Sequence, residues 1–83
     1  MLNYLMFMIE KKIHSILKKI FKSEKIPKEV KKLKFGSFKS WDSLSHLNLL
    51  LLIEKEFKIK FPLKEMFEIR SIKQIITILN KKK

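Results

Sequence analysis

The sequence feature that most limits the fold is the stretch at residues 41–57, which reads W-D-S-L-S-H-L-N-L-L-L-L-I-E-K-E-F. The apolar residues of this stretch recur every three or four positions, and that spacing predicts a helix of about four turns. Asp42 is the predicted N-cap and Ser43 the first helical residue, because a short acceptor side chain favours the position before a helix. The sequence therefore predicts a helix that opens on an exposed serine.

This helix carries two apolar stripes, although a helix on the surface of a small bundle needs only one. The first stripe consists of Leu49, Ile53 and Phe57. The second stripe lies on roughly the opposite side and consists of Leu44, Leu47 and Leu51. Because the second stripe begins beside Ser43, it is either a surface that partner proteins contact or one side of a helix that is buried all round. The pattern alone leaves both interpretations open.

The composition favours helices in the rest of the chain as well. One glycine and two prolines among 83 residues are too few for a turn-rich β fold. The hydrophobic fraction of 46% is enough for one small core. We therefore expect an all-α protein that forms one domain over residues 1–83.

The order of the predicted elements describes a small helical bundle. Apolar residues at three- and four-residue steps predict a first helix over residues 3–21, followed by a long connection over residues 22–40. Pro27 begins a short helical turn within that connection, and Pro62 begins a short third helix. The fourth helix starts with a capping-box pattern at Ser71. The prediction is a four-helix bundle of three main helices and one short helix, with a long first loop.

The charge of the chain is strongly and unevenly positive. The net charge is +12, carried by nineteen lysines and one arginine, Arg70. Residues 11–39 have eleven lysines against two glutamates, a net charge of +9, whereas residues 42–57 have a net charge of −2. Such a balance is typical of proteins that bind nucleic acid or an anionic surface. Direct readout of bases favours the planar fork of arginine, so the lysine bias argues against sequence-specific binding.

The residues that catalysis needs do not converge in the sequence. The chain has no cysteine, no metal-ligand spacing and no glycine-rich phosphate loop. The lysine run of the long loop is predicted to be a solvated face, with a specific phosphate-binding role as the alternative. His46 lies three residues after Ser43, but the pattern provides no third group to orient it and no deep cleft. His14 stands among polar residues and is predicted to be a solvated surface histidine. We therefore expect neither an enzyme nor a metal site.

The sequence has no stretch of about twenty apolar residues, the length that a membrane span requires. Residues 1–9 are apolar, but they lack the basic start and the small-residue cleavage site of a signal peptide. From these features we expect a cytoplasmic protein. We also expect a monomer, with pairing of two chains through the second apolar stripe of the helix at residues 41–57 as the open alternative.

The tripeptide Asp42-Ser43-Leu44, at the start of a helix that ends in E-K-E-F, resembles the motif of the acyl carrier protein family. The similarity extends from Phe35 to Leu79, and Trp41 makes the motif similar to that of stand-alone carriers. The resemblance implies that Ser43 holds a 4′-phosphopantetheine arm, which a phosphopantetheinyl transferase attaches. It also implies that the arm carries an acyl or aminoacyl group as a thioester, in fatty acid biosynthesis or another branch of lipid metabolism.

The resemblance also assigns roles to residues around the motif. Asp42 and Leu44 flank the attachment site. The predicted partner-binding residues are Leu44, Leu47, Leu51, Glu54 and Glu56. The helical wheel and the resemblance together predict an acyl pocket, with ordinary core packing as the alternative role of the same residues. The predicted pocket residues are Leu49, Ile53, Phe57, Met66, Ile72, Ile75 and Ile76.

The sequence departs from the family where carriers usually place acids behind the serine. Ser45, His46 and Asn48 occupy those positions. Because partners of the general fatty-acid synthase read acidic helices, we expect a dedicated set of partners. That set would be a ligase and a transferase for one acyl or amino-acid group. The alternative function is a basic helical nucleic-acid-binding module, which predicts strongly salt-dependent binding through the lysines of residues 25–34.

Overall fold

The computed structural model describes residues 2–81, with side chains described from residue 4 onward. Its four α-helices confirm the predicted all-α bundle and its long first loop, which includes one turn of 3₁₀ helix. The helices are α1 (Leu2–Ile20), α2 (Ser43–Phe57), α3 (Leu63–Glu68) and α4 (Ile72–Lys81), and the 3₁₀ helix is Val30–Lys32. Within residues 2–81 the structure contains no β-strand, only one isolated antiparallel bridge between Lys34 and Ser71.

The ends of α2 follow from local chemistry. Asp42 has extended backbone angles, and its carboxylate accepts a hydrogen bond from the Ser45 N–H at 3.0 Å, as predicted for an N-cap. At the other end, Lys58 adopts the left-handed conformation with φ of 56°, and its N–H donates to the Glu54 carbonyl. That conformation stops the helix and turns the chain toward α3.

The core lies between one side of α2 and the inward faces of α1 and α4. From α2 it takes Leu49, Leu50 and Ile53, each no more than 1% exposed. The second stripe of α2 stays at the surface, so the interpretation of a helix buried all round is wrong. From the other two helices the core takes Ile9, Ile13, Ile16, Leu17, Ile72, Ile75, Ile76 and Leu79.

Aromatic side chains fix the long loop against the start of α2. Trp41 is buried just before α2, and the centroid of its ring lies 5.1 Å from that of Phe21 and 6.0 Å from that of Phe38. His14 Nε2 lies 3.2 Å from the Ile26 carbonyl oxygen. The prediction of a solvated His14 is therefore wrong, because this half-buried ring is hydrogen-bonded to the loop.

The bridge between the first loop and the connection from α3 to α4 sets the position of the site. The Phe35 N–H donates to the Arg70 carbonyl at 2.7 Å, and the Ile72 N–H donates to the Leu33 carbonyl at 3.0 Å. These two bonds join segments that lie more than thirty residues apart in sequence. As a result, the loop, the start of α2 and the end of α3 meet at one place. No helix within residues 2–81 has the length and apolar character needed to cross a membrane.

Candidate functional site

Ser43 is exposed at the first position of α2, where the sequence predicted it. The Asp42 carboxylate caps the first turn, and the hydrogen bond from the Ser45 N–H lowers the pKa of Asp42 below its ordinary value. Asp42 therefore stays ionised and keeps its hydrogen bond at neutral pH. The cap holds the first turn in place and leaves the Ser43 hydroxyl accessible to another protein.

A cavity of about 400 Å³ opens beside Ser43, between α2 and α3. This volume falls within the range of small-molecule sites. On α2, Ser43, Leu47 and Leu50 follow one another at helical spacing along its wall. The lining residues within the described part of the chain are Phe35, Ser43, His46, Leu47, Leu50, Leu63, Met66, Phe67, Ile69 and Arg70. The cavity is therefore mainly apolar, with a hydroxyl and an arginine among its polar groups.

His46 forms part of the cavity wall and connects three parts of the fold. Trp41 Nε1–H donates to His46 Nδ1 at 3.0 Å, which assigns the ring proton to Nε2. Nε2–H in turn donates to the Ile69 carbonyl at 2.8 Å, so the ring links the loop, α2 and the end of α3.

Burial and the nearby Arg70 charge lower the pKa of His46, although its bond to Ile69 opposes the shift. The ring is therefore neutral at pH 7. Because both of its nitrogens are already hydrogen-bonded, His46 is not placed to act as a base toward Ser43.

The predicted acyl-pocket residues occupy three kinds of position in the structure. Met66 lines the cavity beside Ser43. Phe57 is partly buried and packs against the core rather than lining this cavity. The others are fully enclosed in the core: Leu49, Ile53, Ile72, Ile75 and Ile76. Their part in cargo binding stays a prediction, and in this structure they form ordinary core packing.

The predicted partner-binding residues lie along the outer side of α2. Leu44 is 68% exposed, Leu47 44% and Leu51 47%, which is unusual for three leucines of one helix. Glu56 is exposed, whereas the Glu54 carboxylate accepts a hydrogen bond from the Phe61 N–H at 2.7 Å. Glu54 thus has a structural role in holding the connection between α2 and α3.

Most residues of the cavity wall were not identified from the sequence, including Leu50 of α2 and Ile69 at the end of α3. Leu63 and Phe67 come from α3, where they are 69% and 72% exposed, and Phe35 and Arg70 come from the two bridged segments. The sequence contains one usable signal for this wall: Ser43, Leu47 and Leu50 are spaced i, i+4 and i+7, which places them on one face of α2. Among the described residues, no three acidic or histidine side chains converge as metal ligands.

An exposed serine at a helix N-terminus, with an apolar cavity beside it, is the arrangement that the resemblance to acyl carrier proteins predicts for an attachment site. Comparison with protein families agrees, because residues 41–79 match the family model of the phosphopantetheine attachment site. This match confirms the resemblance to phosphopantetheine-binding carriers, and 4′-phosphopantetheine is the prosthetic group of that family. Comparison with curated proteins and with solved structures gave no significant match.

Proposed function

We propose that this protein carries an acyl or aminoacyl group as a thioester on a 4′-phosphopantetheine arm attached to Ser43. The observation that supports this function best is the exposed Ser43 at the start of α2, inside the matched segment and on the edge of the cavity. The residues fit the arm, because the hydroxyl is accessible and the first turn of a helix favours a negatively charged phosphodiester. When bound, the arm supplies the thiol that this cysteine-free chain lacks.

In this proposal the chain positions and shelters the cargo and catalyses no reaction itself. Asp42 holds the first turn, so that the Ser43 oxygen is presented in a fixed direction. Leu47, Leu50 and Met66 provide an apolar wall for a short acyl chain. Burying such a chain stabilises it by about 0.8 kcal/mol for each CH₂ group removed from water. Behind this wall lies the enclosed core that includes Leu49 and Ile53.

The proposed partners are a phosphopantetheinyl transferase and a dedicated ligase and transferase for one acyl or amino-acid group. They would contact the exposed stripe of α2 formed by Leu44, Leu47 and Leu51, together with Glu56. Glu54 is a weaker candidate, since its carboxylate already binds the Phe61 N–H. A cytoplasmic setting, a monomeric state and a place in lipid metabolism remain predictions from the sequence.

The test of the attachment site is incubation with coenzyme A and a phosphopantetheinyl transferase, followed by mass spectrometry of the intact protein. The wild-type chain should gain the mass of one phosphopantetheinyl group, and Ser43→Ala should gain none. Ser45→Ala is the matched control, because it removes a hydroxyl from the same turn and keeps the N–H that Asp42 binds. A mass gain in Ser43→Ala, or no gain in the wild-type chain, would refute the site.

A further inference from the structure

Arg70 is informative both for its residue type and for its position in the fold. Nineteen of the twenty lysine and arginine residues of this chain are lysine, and the single arginine lines the cavity beside Ser43. Arginine differs from lysine in presenting a planar fork of N–H donors that matches a carboxylate or a phosphate. The exception to the lysine bias therefore falls where an anion attached to Ser43 would lie.

The backbone and the side chain of Arg70 are both held in place. Its N–H donates to Gln74 Oε1 at 2.7 Å, and its carbonyl accepts from the Phe35 N–H at 2.7 Å. The guanidinium lies over the Phe35 ring, 5.2 Å from the ring centroid. Stacking on an aromatic ring orients a guanidinium and leaves its edge N–H groups available. The side chain is thus positioned at the cavity before any ligand arrives.

The charges around the cavity favour an anion. Among the residues that the structure describes, no aspartate or glutamate lines the cavity, and His46, which does line it, is neutral. Within the described residues, the ion pairs of the structure involve Lys31 and Lys32 but not Arg70. The positive charge of Arg70 is therefore not compensated by a carboxylate of the described chain, and it faces a space that is otherwise mostly apolar.

We propose that Arg70 binds an oxyanion at the cavity, and this proposal rests on the arm being attached to Ser43. Two groups on that arm carry the required chemistry. One is the phosphodiester that joins the arm to Ser43, and the other is a free carboxylate at the far end of a short dicarboxylic acyl cargo. In both cases the guanidinium fork donates two parallel hydrogen bonds to the oxyanion, while Leu47, Leu50 and Met66 contact the apolar part of the ligand.

The experiment compares the wild-type protein, Arg70→Gln and Arg70→Lys, each first shown by mass spectrometry to carry the arm. Lys64→Gln is the matched control, because it removes one exposed positive charge from α3 away from the cavity lining. The proteins are loaded with a dicarboxylic acyl group or with the methyl-terminated acyl group of the same length. The two readouts are the rate at which hydroxylamine cleaves the thioester and the ³¹P chemical shift of the unloaded arm.

Each outcome decides between the two sources of the oxyanion. If the cargo carboxylate is bound, Arg70→Gln should speed cleavage of the dicarboxylic thioester about three-fold, the size expected of an exposed ion pair, and leave the methyl-terminated one unchanged. If the phosphodiester is bound, the ³¹P shift should change in Arg70→Gln and not in Lys64→Gln. In either case the value measured for Arg70→Lys should lie between those of the wild-type protein and Arg70→Gln.

Two results would overturn the proposal. The first is an equal change in the cleavage rates of both thioesters in Arg70→Gln with no change in the ³¹P shift, because that pattern indicates a structural role for Arg70. The second is no change in any readout. Absence of the arm from Ser43 in the wild-type protein would overturn the proposed function, and this inference with it. Normal attachment without any effect of Arg70 overturns the inference alone.

Discussion

At the scale of single residues, His46 shows how a carrier site can use a histidine without chemistry. Its ring accepts from Trp41 and donates to Ile69, so it joins the start of α2 to the end of α3 across the cavity wall. Removing one partner from a buried hydrogen bond leaves the other unsatisfied, which costs about 1 to 3 kcal/mol. His46 therefore contributes to the shape of the cavity beside Ser43 through the fold, and not by proton transfer.

The position of His46 predicts a pH dependence of stability. Because burial lowers its pKa in the folded state, the unfolded chain binds more protons once the pH falls below about 6.5, the ordinary pKa of histidine. The free energy of unfolding should therefore be highest near pH 7 and should fall from pH 6.5 toward pH 5. Urea unfolding at a series of pH values, followed by Trp41 fluorescence, measures this dependence.

Two variants isolate the contribution of His46. His46→Gln should be less stable at pH 7 by about 1 to 3 kcal/mol and should lose most of the pH dependence between pH 7 and 5. His14→Gln is the control, since His14 contacts the loop away from the cavity. This variant should keep the pH dependence of stability seen in the wild-type protein. The same pH slope in His46→Gln as in the wild-type protein would contradict this account.

At the scale of elements, the helices were predictable from the sequence because their signals are local. The Asp42 cap, the helical spacing after Ser43 and the polar start of α4 at Ser71 each depend on neighbouring residues only. The Ser71 hydroxyl does accept the Gln74 N–H, at 3.2 Å. In a standard capping box the Gln74 side chain would accept from the Ser71 N–H. Here Gln74 Oε1 accepts instead from the Arg70 N–H and from the Ser71 hydroxyl, and the bond from the Arg70 N–H holds the Arg70 backbone in place.

The cavity could not be predicted in the same way, because its walls come from separate segments. The helical wheel separated the core face of α2 from its exposed stripe, but the face toward α3 lies between them. Phe35 and Arg70 reach the cavity only because the loop bonds to the α3–α4 connection over a long sequence separation. Such a pairing leaves no periodic signal. The seven predicted pocket residues therefore included Met66 and missed most of the observed lining.

The end of α2 gives a prediction at this scale. Lys58 has a φ of 56°, a left-handed conformation that costs a residue with a side chain roughly 1 kcal/mol and costs glycine little. Lys58→Gly should therefore raise the free energy of unfolding by up to about 1 kcal/mol, measured by urea denaturation. Lys60→Gly removes the same charge from the same connection without a positive φ, and it should lower stability. Equal effects of the two variants would contradict the conformational argument.

At the scale of the whole molecule, the net charge of the α2 segment is opposite in sign to the net charge of the chain. Residues 42–57 have a net charge of −2 within a chain of net charge +12. The positive charges of two loop lysines are partly compensated by glutamates. Lys31 Nζ lies 3.6 Å from Glu10 Oε2, and Lys32 Nζ lies 3.0 Å from Glu29 Oε1. A partner that approaches α2 therefore meets a weakly acidic helix on a strongly basic protein. That contrast favours dedicated partners over those that read uniformly acidic carriers.

This contrast predicts an unusual salt dependence of arm attachment. At about 0.01 M salt the Debye length is about 30 Å, comparable to the 35 × 29 × 19 Å dimensions of the molecule, so a partner senses the whole charge. At about 0.15 M salt it is about 8 Å, and only the local surface of α2 matters. A phosphopantetheinyl transferase with a basic docking surface should therefore modify Ser43 faster as salt rises. The measurement is the initial rate of modification at low protein concentration.

A double variant of the long loop tests whether the overall charge causes this dependence. Lys25→Glu with Lys28→Glu changes two exposed residues by two charge units each, which lowers the net charge from +12 to +8. This variant should be modified faster than the wild-type chain at low salt, and its rate should vary less with salt. Lys25→Arg with Lys28→Arg keeps the charge and should match the wild-type chain. If the glutamate variant also matches the wild-type chain, the long-range field does not govern the encounter, and the basic loop has another role.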